Sequence, residues 1–183
     1  MSPPTVADSA ARTEWVRDAL ERHEASLLRY VISLTGDTES ARDIVQDTFF
    51  RLCSQERSGV EGHLAQWLFT VARNRALDLH RKEGRMAPLT DIDLDTREAS
   101  APTPSASAEA RDNARNVLAL IDRLPRNQRE VVRLKFQNQL SYQEIADLTA
   151  LSVGNVGFLL HTALKTLRQQ LEHLDRPGRS ARV

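Results

Sequence analysis

The sequence predicts an all-α protein made of two small helical domains joined by a flexible linker. Apolar residues recur at three- and four-residue spacing over residues 14–82 and again from 111 onwards. No stretch shows the sustained alternation of a half-buried strand. Between the periodic zones, residues 83–110 collect prolines, Ser/Ala runs and the acidic "DIDLD", the composition of a flexible acidic tether.

The first zone divides into helices in order. "LLRYVISL" supplies Leu27, Leu28, Val31, Ile32 and Leu34, and "TGDTE" marks the break that follows. "SARDIVQDTFFRLC" supplies Ala41, Ile44, Val45, Phe49 and Leu52, ending at the polar, glycine-bearing "ERSGVEG". "HLAQWLFTVARNRALDLHRK" continues with Leu64, Trp67, Leu68, Val71, Ala72, Leu77 and Leu79. In the second domain, 111–174, "NVLALIDRL" stops before Pro125, because a residue preceding proline is pushed out of helical geometry. "RNQREVVRLKFQNQ" follows. Ser141 and Glu144 then form the Ser-x-x-Glu capping box of another helix. Ser152 caps the last helix, which runs to about Leu174, and residues 175–183 read as a disordered basic tail.

Composition narrows the function classes. The 25 basic and 25 acidic residues balance, so any nucleic-acid surface must be local. The single cysteine, Cys53, allows no internal disulfide and no cysteine-pair zinc site. The five histidines are scattered, and no glycine-rich phosphate loop precedes a helix, so neither an enzyme nor a bound metal or cofactor is expected. The N-terminus lacks the basic run and apolar core of a signal peptide, and no segment reaches the roughly 18–20 apolar residues of a membrane span. The expectation is a cytoplasmic protein without membrane insertion.

Residues 141–174 have the short helix, turn and longer helix of a helix-turn-helix. On a wheel at about 100° per residue, Val153, Val156, Leu160, Ala163, Leu164, Leu167 and Leu171 form the expected core face. The opposite face carries Gly154, Asn155, Phe158, His161, Thr162 and Lys165, with Leu159 on the flank. Asn155 suits an adenine edge, Phe158 a thymine methyl and Lys165 a phosphate. Arg126, Arg129, Arg133, Lys135 and Arg168 are the expected source of positive charge. A protein contact is the alternative reading of Phe158.

In the first domain, Asp43, Gln46 and Asp47 share a helix face, read as solvated or as an acidic docking surface. Trp67 and Phe69 lie within a turn or two of Arg73, Asn74, Arg75, Arg81 and Lys82, a combination suited to opened, single-stranded nucleic acid. The alternative places Trp67 in the core.

Four blocks, "ARDIVQDTFFRL", "WLFTVARNRALDLHRK", "LPRNQREVVRLKF" and "LSYQEIADLTALSVGNV", resemble in order and spacing the extracytoplasmic-function subfamily of bacterial RNA polymerase sigma factors. The resemblance spans roughly residues 24–82 and 111–172 and implies a region 2-like helical bundle followed by a region 4-like helix-turn-helix. It implies that Asp43, Gln46 and Asp47 dock on the clamp helices of the polymerase's largest subunit. Trp67, Arg73, Asn74, Arg75, Arg81 and Lys82 would read and open the −10 element, with Asn74 and Arg75 at a flipped base. Ser152, Asn155, Phe158, His161, Thr162 and Lys165 would meet the −35 duplex, and the acidic linker would thread towards the RNA exit path. The implied partners are core RNA polymerase, promoter DNA and, as a further candidate, an anti-sigma protein.

The chain departs from the family's pattern in the last helix. Members commonly carry a lysine at position 157, a small polar residue at 158, and arginines at 159, 162 and 164. Here stand Gly157, Phe158, Leu159, Thr162 and Leu164. An alternative function is therefore a sigma-like decoy that binds an anti-sigma protein without reading DNA. A dimeric helix-turn-helix regulator is a third reading, which leaves the first domain unexplained.

Overall fold

Helix α1 (Val6–Thr35) ends where the chain turns left-handed: Gly36 adopts φ 72°, and its N–H closes on the Ile32 carbonyl at 2.8 Å. The protein is seen here as a computed structural model, which describes residues 6–82 and 116–174, with side-chain surroundings for 11–82 and 116–172. The expected linker 83–110 and tail 175–183 lie outside the described residues. The chain forms two compact units, divided at 88/89.

In the first unit, Asp37 caps α2 (Thr38–Cys53) by accepting the Ser40 N–H at 2.7 Å. A single turn, α3 (Arg57–Val60), and a 3₁₀ turn (Glu61–His63) lead into α4 (Leu64–Lys82). The apolar stripes meet in one core: Leu27, Tyr30 and Val31 of α1, Ala41, Val45, Phe49 and Leu52 of α2, and Leu68, Phe69, Ala72 and Ala76 of α4 are all buried. Tyr30 and Phe69 meet edge-on, with centroids 5.2 Å apart. His80 of α4 donates from Nε2 to the Leu34 carbonyl at 2.9 Å, tying the end of α4 to that of α1. Helix α1 begins at Val6, earlier than the residue 14 expected from apolar spacing. Trp15 and Ala19 extend its buried side, and Arg12 donates to the Gln55 carbonyl beyond α2 at 2.7 Å.

The second unit contains helical residues 116–122 (α5), then α6 (Arg126–Val132), which starts immediately after Pro125. Helix α6 widens into a π-turn over Arg133–Gln137, closed by the Asn138 N–H on the Arg133 carbonyl at 3.2 Å. Helix α7 (Tyr142–Thr149) opens on the expected reciprocal box: Ser141 Oγ accepts the Glu144 N–H at 3.2 Å, and Glu144 accepts the Ser141 N–H at 2.7 Å. Ala150 ends it in the left-handed region at φ 60°. Helix α8 (Val153–Leu174) is capped by Ser152, whose Oγ accepts the Asn155 N–H at 3.1 Å.

The buried stripe of α8 is narrower than the wheel suggested. Val156, Leu160, Ala163 and Leu167 are buried, whereas Val153 is 41% exposed and Leu164 43% exposed. Both lie roughly 50–70° from the centre of the stripe, at the edge of what α6 and α7 cover.

Candidate nucleic-acid and protein interfaces

One side of α2 is buried, so the residues opposite form a rigid outward stripe. Asp43 and Gln46 are exposed there, and Asp47 is half-buried at the stripe's edge. Asp47 has two basic neighbours: Arg51 Nε at 3.2 Å, one helical turn along, and Arg75 Nε at 3.6 Å, across on α4. Ser40, Asp43, Ile44 and Asp47 line one wall of a cleft of about 270 Å³, faced by Arg75, Leu79 and Lys82. The fold thus joins two groups that the sequence assigned to different partners. Acid comes from α2, base from α4, and Ile44 and Leu79 supply the apolar lining.

The remaining residues of the α4 group separate. Asn74 is exposed, and Arg81 is exposed while pairing with Asp78 at 3.1 Å. Trp67 is half-buried, neither sealed in the core nor free of it. Arg73 requires a correction: it is only 6% exposed and interacts within the protein, so its guanidinium is not presented to a passing strand. Phe69 is core, held against Tyr30, and cannot stack on a base.

On α8, Ser152, Asn155, His161 and Lys165 are exposed, Thr162 is half-buried, and Phe158 stands out at 68% exposure. The wheel's outward face is therefore the face that solvent reaches. The basic residues expected to support it are placed otherwise. Arg133 is largely buried and pairs with the Asp122 carboxylate, while Arg129 donates to the Asp122 carbonyl at 2.8 Å. Burial lowers the Arg129 pKa, against the opposing pull of Asp122. Lys135 donates to the Leu140 carbonyl at 3.2 Å and lies over the Tyr142 ring. Arg126 is half-buried and engaged within the protein. Lys165 and Arg168 are the exposed cations on the described part of α8.

Sequence reasoning missed two features. Asp122 gathers two arginines from α6, a tertiary event without a sequence motif. Phe50 is 73% exposed on the α2 stripe, seven residues after Asp43, and a wheel drawn for that helix would have shown it. Among the described residues, no cluster of three His, Cys, Asp or Glu side chains could hold a metal. No described helix is long and apolar enough to cross a membrane.

Residues 19–86 match the family described as sigma-70 region 2, and residues 114–167 match sigma-70, region 4. Among curated proteins, the ECF RNA polymerase sigma factor SigL of Mycobacterium tuberculosis is 32% identical over 173 residues, covering 91% of this chain and 94% of SigL. Among solved structures, the sigma factor RpoE in complex with the anti-sigma factor NepR, from Bartonella quintana, superposes with a TM-score of 0.63. It shares 27% identity and covers 87% of this chain and 98% of RpoE. CnrH in complex with the cytosolic domain of CnrY shares the fold, with a TM-score of 0.57 at 21% identity over 88% of this chain and 90% of that one.

Proposed function

Because this chain belongs to the ECF RNA polymerase sigma factors, with sigma-70 region 2 and region 4 domains, we propose a division of labour between its surfaces. The protein directs transcription initiation, binding core RNA polymerase and promoter DNA, and the catalysis belongs to the polymerase. Asp43, Gln46 and Asp47 dock the α2 stripe on the polymerase clamp helices. Trp67, Asn74, Arg75, Arg81 and Lys82 meet the −10 element as it opens, with Asn74 and Arg75 at the flipped base. Arg73 supports that surface from inside. Ser152, Asn155, Phe158, His161, Thr162 and Lys165 face the −35 duplex. Acting with the polymerase places the protein in the cytoplasm.

The observation that carries this reading is the outward face of α8, where Asn155, Phe158, His161 and Lys165 stand exposed opposite a buried stripe. That is the arrangement of a helix laid into a major groove. The test is run-off transcription with purified core polymerase, this protein and DNA from upstream of its own gene. A discrete transcript that requires the protein supports the reading and maps both promoter elements. Core binding without any transcript from that DNA or from a genomic promoter pool refutes it.

A second reading has its own support. Arg129 and Arg133 are turned inwards, and the solved RpoE structure described above is a complex with the anti-sigma factor NepR. A sigma-like protein that binds an anti-sigma partner and leaves DNA alone would tolerate that loss of surface charge. The same transcription assay separates the two, and an anti-sigma protein remains a proposed partner under either.

A further inference from the structure

Helix α2 presents Glu39, Asp43, Gln46 and Phe50 along one line, within about 40° of Phe50 on a wheel, and all four are exposed. Phe50 is 73% exposed, the most open of the large apolar side chains among the described residues. Its helix is held from behind by Ile44, Val45, Phe49 and Leu52, each buried. An aromatic ring on a rigid helix loses little conformational freedom when a partner covers it, the usual property of an interface anchor. The neighbouring residues are acidic or amide towards the N-terminal half, so the surface reads as an apolar anchor beside a polar, negatively charged margin.

We propose that Phe50 is the apolar anchor of the contact with core RNA polymerase, inserting beside the docking residues Asp43 and Gln46. The proposal rests on the reading of α2 as the polymerase-docking helix and adds where its affinity is concentrated. Continuity of the stripe selects this occupant: a partner that engages Asp43 and Gln46 from solvent must also cover the ring between them and the helix C-terminus. The acidic margin further requires basic or hydrogen-bonding groups around an apolar pocket on the partner.

The test is equilibrium titration of fluorescently labelled full-length protein with purified core polymerase, comparing wild type, Phe50→Ala, Phe50→Leu, Asp43→Arg and Arg17→Ala. Loss of a buried aromatic anchor weakens binding by about thirtyfold. Phe50→Ala should show a loss of that order, Phe50→Leu should recover most of it, and Arg17→Ala, at an exposed position of α1, should bind as wild type. Thermal melts of the Phe50 variants should match wild type, because the ring touches little of its own fold. If Asp43→Arg weakens binding and Phe50→Ala does not, the anchor is refuted while the docking helix stands. If neither substitution weakens binding, the docking reading falls and takes the anchor with it. If Phe50→Ala leaves polymerase affinity unchanged but abolishes self-association in sedimentation, the ring belongs to a contact between copies, and the proposal is overturned.

Discussion

The inward-turned arginines of the second unit make a quantitative prediction about salt. Each phosphate neutralised by a protein cation contributes about −0.9 to the slope of log affinity against log salt. If Arg126, Arg129, Arg133, Lys135, Lys165 and Arg168 all met phosphates, their joint slope would be about −5.4, a loss of roughly two thousandfold between about 50 and 200 mM salt. The structure leaves Lys165 and Arg168 exposed on α8, while Arg129 and Arg133 meet Asp122 and Lys135 meets the Leu140 carbonyl. Two contacts give a slope of about −1.8, or roughly twelvefold over the same range. The assay is holoenzyme binding to a promoter duplex at several salt concentrations, so that the polymerase's own contacts cancel between variants. Lys165→Ala combined with Arg168→Ala should flatten the slope by about 1.8, and Arg133→Gln should leave it unchanged in protein shown to be folded. Flattening by Arg133→Gln to the same extent as by Lys165→Ala would refute the reasoning.

Other outcomes follow from single residues. Ala150 sits at φ 60°, exposed, so Ala150→Gly loses no packing and relieves left-handed strain. The gain should be about 0.5–1 kcal/mol in the second unit, read as a higher melting temperature; a lower one would contradict it. If Phe158 packs on a thymine methyl, replacing that thymine by uracil removes one methyl and should weaken binding about fourfold. Phe158→Ala should abolish the difference, and indifference of the wild type to uracil at every −35 thymine would end the idea. Half-burial, with Arg22 adding to it, lowers the His23 pKa below its ordinary 6.5, so the unfolded chain binds that proton more tightly. The stability held by neutral His23 is complete above pH 6.5 and declines as pH falls through the folded value. His23→Gln should flatten the unfolding profile there.

What the sequence made legible were features written in local chemistry. The break at "TGDTE" became Gly36 and the Asp37 cap, and Ser141 with Glu144 became the reciprocal box. Phe158 could be placed outwards from spacing alone, because its neighbours at helical intervals are polar. The start of α1 was missed because "VADSAAR" carries helix propensity through alanine and offers few apolar residues to count. Arg73 was missed because an arginine's type says exposed, and only tertiary packing puts this one inside. Asp122 lies seven residues before Arg129 and eleven before Arg133, across Pro125, so no single helix wheel relates them. The cleft between α2 and α4 was likewise invisible, since its two walls come from separate helices of the first unit.

The sparse charge of α8 and the occupied arginines behind it bear on how promoter choice can work at all. Affinity for arbitrary DNA comes almost entirely from phosphate neutralisation, so a helix-turn-helix in which Arg129 and Arg133 of α6 are held by Asp122 gains less from its own cations for bulk DNA. Base-edge and methyl contacts, proposed for Asn155 and Phe158, do not depend on net charge. Losing a phosphate contact weakens specific and non-specific binding by the same factor, so the ratio between them is kept even as total affinity falls. Attachment to the polymerase compensates, since a tethered unit meets the −35 element at an effective concentration that can reach about millimolar. A helix poor in arginine is then consistent with a sigma factor that reads DNA only as part of the holoenzyme, and the decoy reading needs more than missing charge to displace it. It needs a proposed docking face that fails to bind polymerase, and on α2 the residues proposed for that face, Asp43, Gln46 and Phe50, are all open to solvent.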